Sequence, residues 1–350
     1  MGGQIQMGRY RVGEHLPCFV IAEAGVNHNG DLDMARALVD VAVRAEANAV
    51  KFQSFKASKL ATPCAPKAEY QLRTTDAEES QYQMLEHLEL SQMAHRALVD
   101  YSRDKGILFM SSPFDEESAD LLDDLGVDVF KIPSGEITNL PFLAHVARKK
   151  KPMIVSTGMS YLDEVNDAVK AIRNAGCKEL ILLHCVSSYP TDPSDANLRV
   201  METMSKTFQV PVGFSDHTPG IEVSLAAVAL GACVIEKHFT LDTTLPGPDQ
   251  RISLDPHELQ ALISGIRKVE QALGTGAKEP APSEANTRLV ARRSIVAARD
   301  ILQGSLLSSD MLTTLRPATG IAPTMADQLV GRRAKRSLKS GELIFWSDVE

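Results

Sequence analysis

Eight short apolar runs recur between residues 19 and 239, and each ends at or beside a residue that can hydrogen-bond or carry charge. They are FVIAEAG, ending at Gly25, AVKFQS at Ser54, ILFMSS at Ser112, VFKIPS at Ser134, MIVSTG at Gly158, LILLHC at Cys185, VPVGFSDH at His217 and CVIEKHF at Phe239. Helix-like stretches separate them, at 31–47, 91–105, 116–125, 140–149, 162–175, 197–207 and 221–230, with a last one at 256–273. Continuously apolar strands belong to a parallel sheet covered by helices. Eight strand–helix units in about 250 residues predict an α/β fold, a (β/α)8 TIM barrel. An open doubly wound sheet is the competing arrangement. The strand ends favour the ring: Glu23, Lys51, Ser111 with Ser112, Lys131, Ser156, His184, Asp216 with His217, and His238 all converge on one pocket only if the sheet closes.

Local signals agree with this order. Asp31 and Asp33 follow the Asn29-Gly30 turn and precede an apolar face of Leu38, Val41 and Ala42 at helical spacing. Pro256 opens the last helix where a missing N–H costs nothing. The connection 56–90 is long and contains Pro63 and Pro66, and long connections at this face of a barrel often carry binding function. After Leu273, GTGAKEPAPSEAN reads as a linker and the remainder as short strands and turns. The expected domains are a barrel over 1–275, a linker over 276–288 and a small β-rich module over 289–350. A module of about 60 residues sits near the lower limit of autonomy. It is expected to lean on a barrel, its own or a partner's.

Composition removes several classes of partner. The 45 acidic residues outnumber 37 basic ones for a formal charge of -8, and no run of five like charges occurs. Nucleic acid and anionic membrane surfaces are therefore excluded as expected partners. The apolar run at Cys18–Ala22 is too short for a signal peptide or a membrane span, so the expected location is the cytoplasm. Cys18, Cys64, Cys177, Cys185 and Cys233 form no C-x-x-C pair and read as thiols in a reducing compartment.

His217 and His238 end consecutive strands, and neighbouring strands lie about 4.8 Å apart, so both imidazoles can face one cation. The competing assignment is two structural histidines tied to loops. Lys51 and Lys131 lie inside apolar strands, where an ammonium group needs an anionic partner. That partner is either Glu23, in a packing pair, or a ligand. Ser134, Ser156 and Ser215 beside the lysines favour an anion pocket suited to phosphate and carboxylate. A strand lysine also suits a metal-independent Schiff-base aldolase acting on pyruvate, and a non-enzymatic sugar-phosphate-binding module is the third alternative. Glu23 can bind a hydroxyl or take a proton from water. Asp249, between the prolines and Gln250 in PGPDQ, is held over the rim by a stiff loop, with loop stiffening alone as the bland alternative. No GxGxxG or GxxxxGK[ST] occurs after a strand.

These motifs in this order resemble the N-acetylneuraminate (sialic acid) synthase family, which includes the legionaminic acid synthases. The resemblance rests on IAEAGVNHNGD, VKFQSF, SSPFD, FKIPSGE, STGMS, HCVSSYPT, GFSDHT and ALGACVIEKHFTLD with PGPD, then RRSIVAARDI, LRPATGI and LVGRRAKR, and covers nearly the whole chain. It implies that the last module is an antifreeze-like (SAF) domain. It implies a homodimer in which that domain covers the partner's barrel and Arg316 reaches the partner's amino sugar. It makes His217 and His238 ligands of a divalent metal, Mn²⁺ or alternatively Mg²⁺. Lys51, Ser112, Lys131, Ser134, Ser156 and Ser215 then bind phosphoenolpyruvate, while Glu23, Gln53, Tyr189 and Asp249 surround the sugar. The implied reaction joins C3 of phosphoenolpyruvate to the aldehyde of an N-acetylated amino sugar polarised by the metal. Water adds at C2, aided by Glu23 or the metal, and phosphate leaves, giving a nonulosonic acid. PGPDQRISL is closer to the sialic and legionaminic branches than to the pseudaminic one. Gln250 stands where histidine is usual and Ser187 where some relatives have asparagine, which leaves N-acetylmannosamine and 2,4-diacetamido-2,4,6-trideoxymannose both open.

Overall fold

The computed structural model describes residues 3–76 and 78–350, in two compact units, Met1–Gly274 and Thr275–Glu350. In the first unit a hairpin of β1 (Ile5–Met7) and β2 (Tyr10–Val12) precedes eight parallel strands. These are β3 (Phe19–Gly25), β4 (Ala49–Ser54), β5 (Leu108–Pro113), β6 (Phe130–Ile132), β7 (Met153–Ser156), β8 (Leu180–Cys185), β9 (Val212–Asp216) and β10 (Val234–His238). Their lateral order, β5-β4-β3-β10-β9-β8-β7-β6, runs in sequence except at the seam where the last strand meets the first. β5 and β6, the two ends of that order, lie side by side and complete the ring. This is the TIM barrel, not the open sheet.

Helices α1 (Leu32–Arg44), α2 (Ala57–Leu60), α3 (Glu69–Thr74), α4 (Gln81–Leu88), α5 (Gln92–Lys105), α6 (Glu116–Asp124), α7 (Leu140–Ala147), α8 (Leu162–Asn174), α9 (Val200–Phe208), α10 (Glu222–Ala229) and α11 (Pro256–Leu273) follow the strands. Asp31 caps α1 by accepting from the amides of Asp33 and Met34. Asp255 caps α11 beside Pro256, with Glu258 returning to the cap's amide. The long 56–90 connection holds α2, α3 and α4, three short helices where the sequence suggested a partly helical stretch.

Strand alternation sorts side chains into two layers. Val20, Ala22, Val50, Phe52, Phe130, Ile132, Leu180, Leu182 and Ile235 pack outward with the helices. Phe19, Ile21, Ala49, Met110, Val129, Ile154, Ile181, Leu183 and Val234 fill the interior, joined by Ile5, Met7 and Val12 of the hairpin. The hairpin, which the sequence reading did not anticipate, thus seals the interior at the strand starts. The C-terminal end of the ring stays available for polar groups.

In the second unit, residues 275–284 are exposed, and α12 (Ala285–Ala291) begins inside the expected linker. β11 (Ser294–Ala297) and β12 (Leu312–Leu315) pair antiparallel, and α13 (Ala326–Leu329) follows. The other expected strands enter only through single bridges, such as Ile301 to Leu338 and Ala334 to Val349. A small core of Ile295, Ile301, Leu307, Leu329, Leu338 and Ile344 holds the unit together.

Candidate active site

Side-chain alternation decides what the ring presents. In β3, outward Val20, Ala22 and Ala24 force Phe19, Ile21 and Glu23 inward. By the same rule Lys51, Ser112, Lys131, Ser156, Cys185, Ser215, Glu236 and His238 end their strands on the inner face. A single cavity of about 760 Å³ is lined by Glu23, Lys51, Gln53, Ser112, Lys131, Ser134, Ser156, Tyr189, Ser215, His217, His238 and Asp249. Every candidate substrate or metal residue within the first unit is therefore brought together. Arg316, exposed just after β12, belongs to the second unit.

Three strand-end residues do not join them. His184 Nε2 faces the Ala196 carbonyl oxygen at 2.7 Å in the helix layer. Ser111 pairs with Ser54 at 2.7 Å, and Ser54 with His95 at 2.7 Å. Asp216 binds Lys237 at 2.9 Å. All three lie one residue out of phase with the inward set. The sequence carries a complementary signal: Glu236 is two residues before His238 and so shares its face.

Glu236 organises the floor. Its carboxylate lies 3.1 Å from Lys131 and 3.7 Å from Lys51, and it accepts from Ser215 at 3.0 Å. Lys51 also pairs with Glu23 and donates to Ser112 at 2.9 Å. Two carboxylates thus balance two ammonium groups, all four nearly fully buried. Burial raises the Glu236 pKa, but Lys131 and Lys51 outweigh it and pull it down to about 2. Glu23 responds oppositely: burial dominates, and despite Lys51 its pKa rises to about 7. Burial also disfavours charge on Lys51, yet Glu23 and Glu236 hold its pKa above the ordinary value. For Lys131 burial prevails over Glu236 and the pKa falls. Two carboxylates with opposite shifts, one fixed as an anion and one poised near neutrality, suit binding and proton transfer respectively.

His217 and His238 sit with ring centroids 5.5 Å apart. His217 Nδ1 donates to the Val186 carbonyl oxygen at 2.7 Å, which leaves Nε2 as the ligating nitrogen of the neutral ring. Burial disfavours its charged form, but Cys185 and the Val186 carbonyl outweigh that and raise its pKa, so a cation there displaces a proton. His238 Nδ1 is buried without a hydrogen-bond partner, and burial with the nearby His217 keeps the ring's pKa well below the usual value. Two imidazoles with an available nitrogen fit a divalent cation. Among the described residues no cluster of three protein ligands completes a shell, so water and substrate oxygens would fill the rest. Gly25, at φ +54°, has no Cβ to intrude on Glu23, Gln53 and His238, which would stand 3.2–3.5 Å from it.

The remaining sugar candidates lie beside the histidines. Tyr189 packs against His217 with the rings tilted 44° and centroids 4.2 Å apart, and meets Tyr70 of α3 at 5.0 Å. Asp249 is buried beside them, and burial lifts its pKa to about 6 against the opposing pull of His217. Ser187 lines the cavity with a hydroxyl that has no partner, whereas Gln250 is fully buried and absent from the lining.

Residues 38–278 match the model of the NeuB family, more than half of the chain. The chain belongs to the NeuB family. Residues 292–350 match the SAF domain. The N,N'-diacetyllegionaminic acid synthase of Legionella pneumophila is 48% identical over 97% of this chain and 96% of its own length. The enzyme of the same name from Campylobacter jejuni is 48% identical over 93% of this chain and 98% of its own. The crystal structure of an N-acetylneuraminic acid (sialic acid) synthetase from Leptospira borgpetersenii, in complex with citrate, is 37% identical with a TM-score of 0.73. It covers 82% of this chain and 95% of that one. For a NeuB-family barrel with a SAF domain, the cavity at the strand ends is the site to consider.

Proposed function

We propose that this protein condenses phosphoenolpyruvate with 2,4-diacetamido-2,4,6-trideoxymannose and water, giving a legionaminic acid and phosphate. The protein is a nonulosonic acid synthase of the NeuB family; the particular amino sugar, the cation and the dimer are the proposal. The observation that carries it is the shared cavity of Lys51, Lys131, the serines and both histidines.

Lys51 and Lys131, with Ser112, Ser134, Ser156 and Ser215, bind the carboxylate and phosphate of phosphoenolpyruvate, and Lys131 favours the departing phosphate. A divalent cation held by His217 and His238, Mn²⁺ or Mg²⁺, supplies Lewis-acid polarisation of the sugar's carbonyl oxygen. Glu23, whose pKa stands at about 7, takes the proton of the water that adds at C2. Asp249 and Tyr189 orient the sugar, and Gln53 lies beside Glu23 for the same purpose. A Schiff base needs an unprotonated amine, and Glu23 and Glu236 keep Lys51 charged. Under that alternative, borohydride trapping with pyruvate labels Lys131.

The sugar follows from the other wall of the cavity, where Val26, Leu60, Met84, Leu85, Leu88 and Phe114 offer apolar surface. A 6-deoxy methyl and an extra acetamido methyl bury well there, and a free hydroxyl does not. Identity of 48% to two legionaminic acid synthases, against 37% to the sialic acid synthetase structure, supports the same choice. A homodimer is supported by charge: residues 275–350 carry 11 basic and 8 acidic groups, while residues 1–274 carry 26 and 37. Opposite signs draw the small unit of one protomer to the barrel of another, where Arg316 would meet the sugar. No helix of the described residues is long and apolar enough to cross a membrane. All five cysteines are unpaired, which supports a reducing, cytoplasmic setting.

Phosphate release from phosphoenolpyruvate is measured against a panel of N-acetylated hexoses, with mass spectrometry of the product. The diacetamido sugar gives the highest kcat/KM. Preference for N-acetylmannosamine overturns the sugar assignment, and no release with any sugar overturns the reaction.

A further inference from the structure

Asp249 stands on residues 240–255, a connection whose regular pieces are the single turn Gln250–Ile252 and a one-residue bridge from Leu254 to Phe239. A side chain on such a segment is accurate only if something buried fixes its backbone. Gln250 and Asn27, 0% and 1% exposed, supply that fixing. Gln250 Nε2 donates to the Asn27 carbonyl oxygen at 3.0 Å, and its Oε1 accepts from Thr240. Asn27 Nδ2 donates to Ser253 Oγ at 2.9 Å and to the Phe239 carbonyl oxygen at 2.8 Å. Ser253 Oγ in turn donates to the carbonyl oxygen of Asp249 itself at 2.6 Å.

The network joins three pieces of the site. Asn27 lies on the turn leaving β3, which carries Glu23; Phe239 follows His238 of β10; Asp249 hangs from the loop. Outer ties hold the same loop: Asn29 Nδ2 donates to the Pro246 carbonyl oxygen at 2.8 Å and Thr74 Oγ1 to that of Pro248 at 3.2 Å. Gly247, at φ +140°, permits the close approach, since a Cβ there would lie 2.8 Å from Asn29 Oδ1 and 3.2 Å from Gln250 Cγ. Neither Gln250 nor Asn27 lines the cavity. Their amide nitrogens bind backbone carbonyls and the Ser253 hydroxyl, and Gln250 Oε1 takes the Thr240 hydroxyl; Asn27 Oδ1 is buried without a partner.

We infer that Gln250 and Asn27 are positioning residues: together with Ser253 they clamp the Asp249 loop to the ends of β3 and β10 and so set amino-sugar binding. The inference rests on the proposed function, in which Asp249 contacts the sugar. A donor to the Asn27 carbonyl oxygen is what the position requires.

Gln250→Leu keeps the volume and removes both hydrogen bonds, leaving the Asn27 carbonyl unpaired while the Thr240 hydroxyl keeps the Asp242 carbonyl oxygen at 3.2 Å. Its KM for the amino sugar rises about tenfold, the worth of one buried hydrogen bond, while KM for phosphoenolpyruvate stays within about twofold of the parent. Gln250→His, which restores a donor, recovers most of the loss. Hydrogen exchange of the full-length protein gives a readout besides turnover: amides of 242–249 exchange faster in Gln250→Leu, and those of β3 and β10 do not. Unchanged KM values with a lowered melting temperature show a merely structural role and overturn the inference, as does an equal rise in both KM values. A parent protein that turns over no amino sugar overturns the proposed function and this inference with it. That outcome is distinguished by being visible before any variant is made.

Discussion

Replacing Glu236 by glutamine leaves two buried ammonium groups facing a single carboxylate, Glu23. At an effective dielectric constant of about 20, the contact with Lys131 at 3.1 Å is worth about 5 kcal/mol and that with Lys51 at 3.7 Å about 4 kcal/mol. Desolvation of the carboxylate cancels several kcal/mol of this, and glutamine still accepts from Ser215. The net expectation is a loss of about 3–5 kcal/mol, the usual cost of leaving one buried charge without its partner. For a barrel of this size that lowers the melting temperature by roughly 10 °C. Differential scanning fluorimetry with and without phosphoenolpyruvate measures it. Added phosphoenolpyruvate raises the melting temperature of Glu236→Gln by more than that of the parent, because the ligand's anionic groups replace the missing charge. The double variant Glu236→Gln with Lys131→Met restores the balance of charge and is more stable than Glu236→Gln alone. A single variant within about 2 °C of the parent, or a double variant whose losses simply add, refutes the charge-balance account.

Three further outcomes are expected. His217→Ala and His238→Ala each abolish cation-dependent phosphate release while the barrel stays folded by circular dichroism; full turnover of either variant in EDTA removes the metal role. Arg316→Ala raises KM for the amino sugar far more than KM for phosphoenolpyruvate, and the reverse split argues against the small unit serving the sugar. His28 is buried, and burial with the nearby His95 lowers its pKa from 6.5 to about 4. The unfolded chain takes the proton first, so this stability is fully present above pH 6.5 and is lost as the pH falls toward 4. The loss amounts to about 3 kcal/mol, and chemical denaturation of His28→Gln across that window shows a correspondingly shallower dependence.

Much of the architecture was legible because its signals are local. Strand ends at Gly25, Ser54 and Cys185 and the helix from Pro256 to Leu273 coincide with the apolar runs, caps and prolines that specify them. Short β6 was harder: Ser134 lies beyond its last residue, Ile132, in a single helical turn, since Pro133 cannot donate to a ladder. The N-terminal hairpin was missed because Ile5, Met7 and Val12 are apolar only in alternation over three-residue strands. The site divides in the same way. Lys51, Lys131 and Glu23 stand out as charges inside apolar strands, whereas Glu236 and Cys185 sit within two residues of His238 and His184, which carry the stronger signal at the strand ends.

By itself the sequence determined the order of strands and helices, the family motifs and which residues share a face within each strand. It could not determine which of the two faces turns inward, because alternation is relative and only packing against helices on one side and seven other strands on the other makes it absolute. That choice took Cys185 and Glu236 into the cavity and sent His184, Ser111 and Asp216 into the helix layer. Nor could it bring Asn27 to Ser253, 226 residues apart, where closure of the ring places the first strand beside the last.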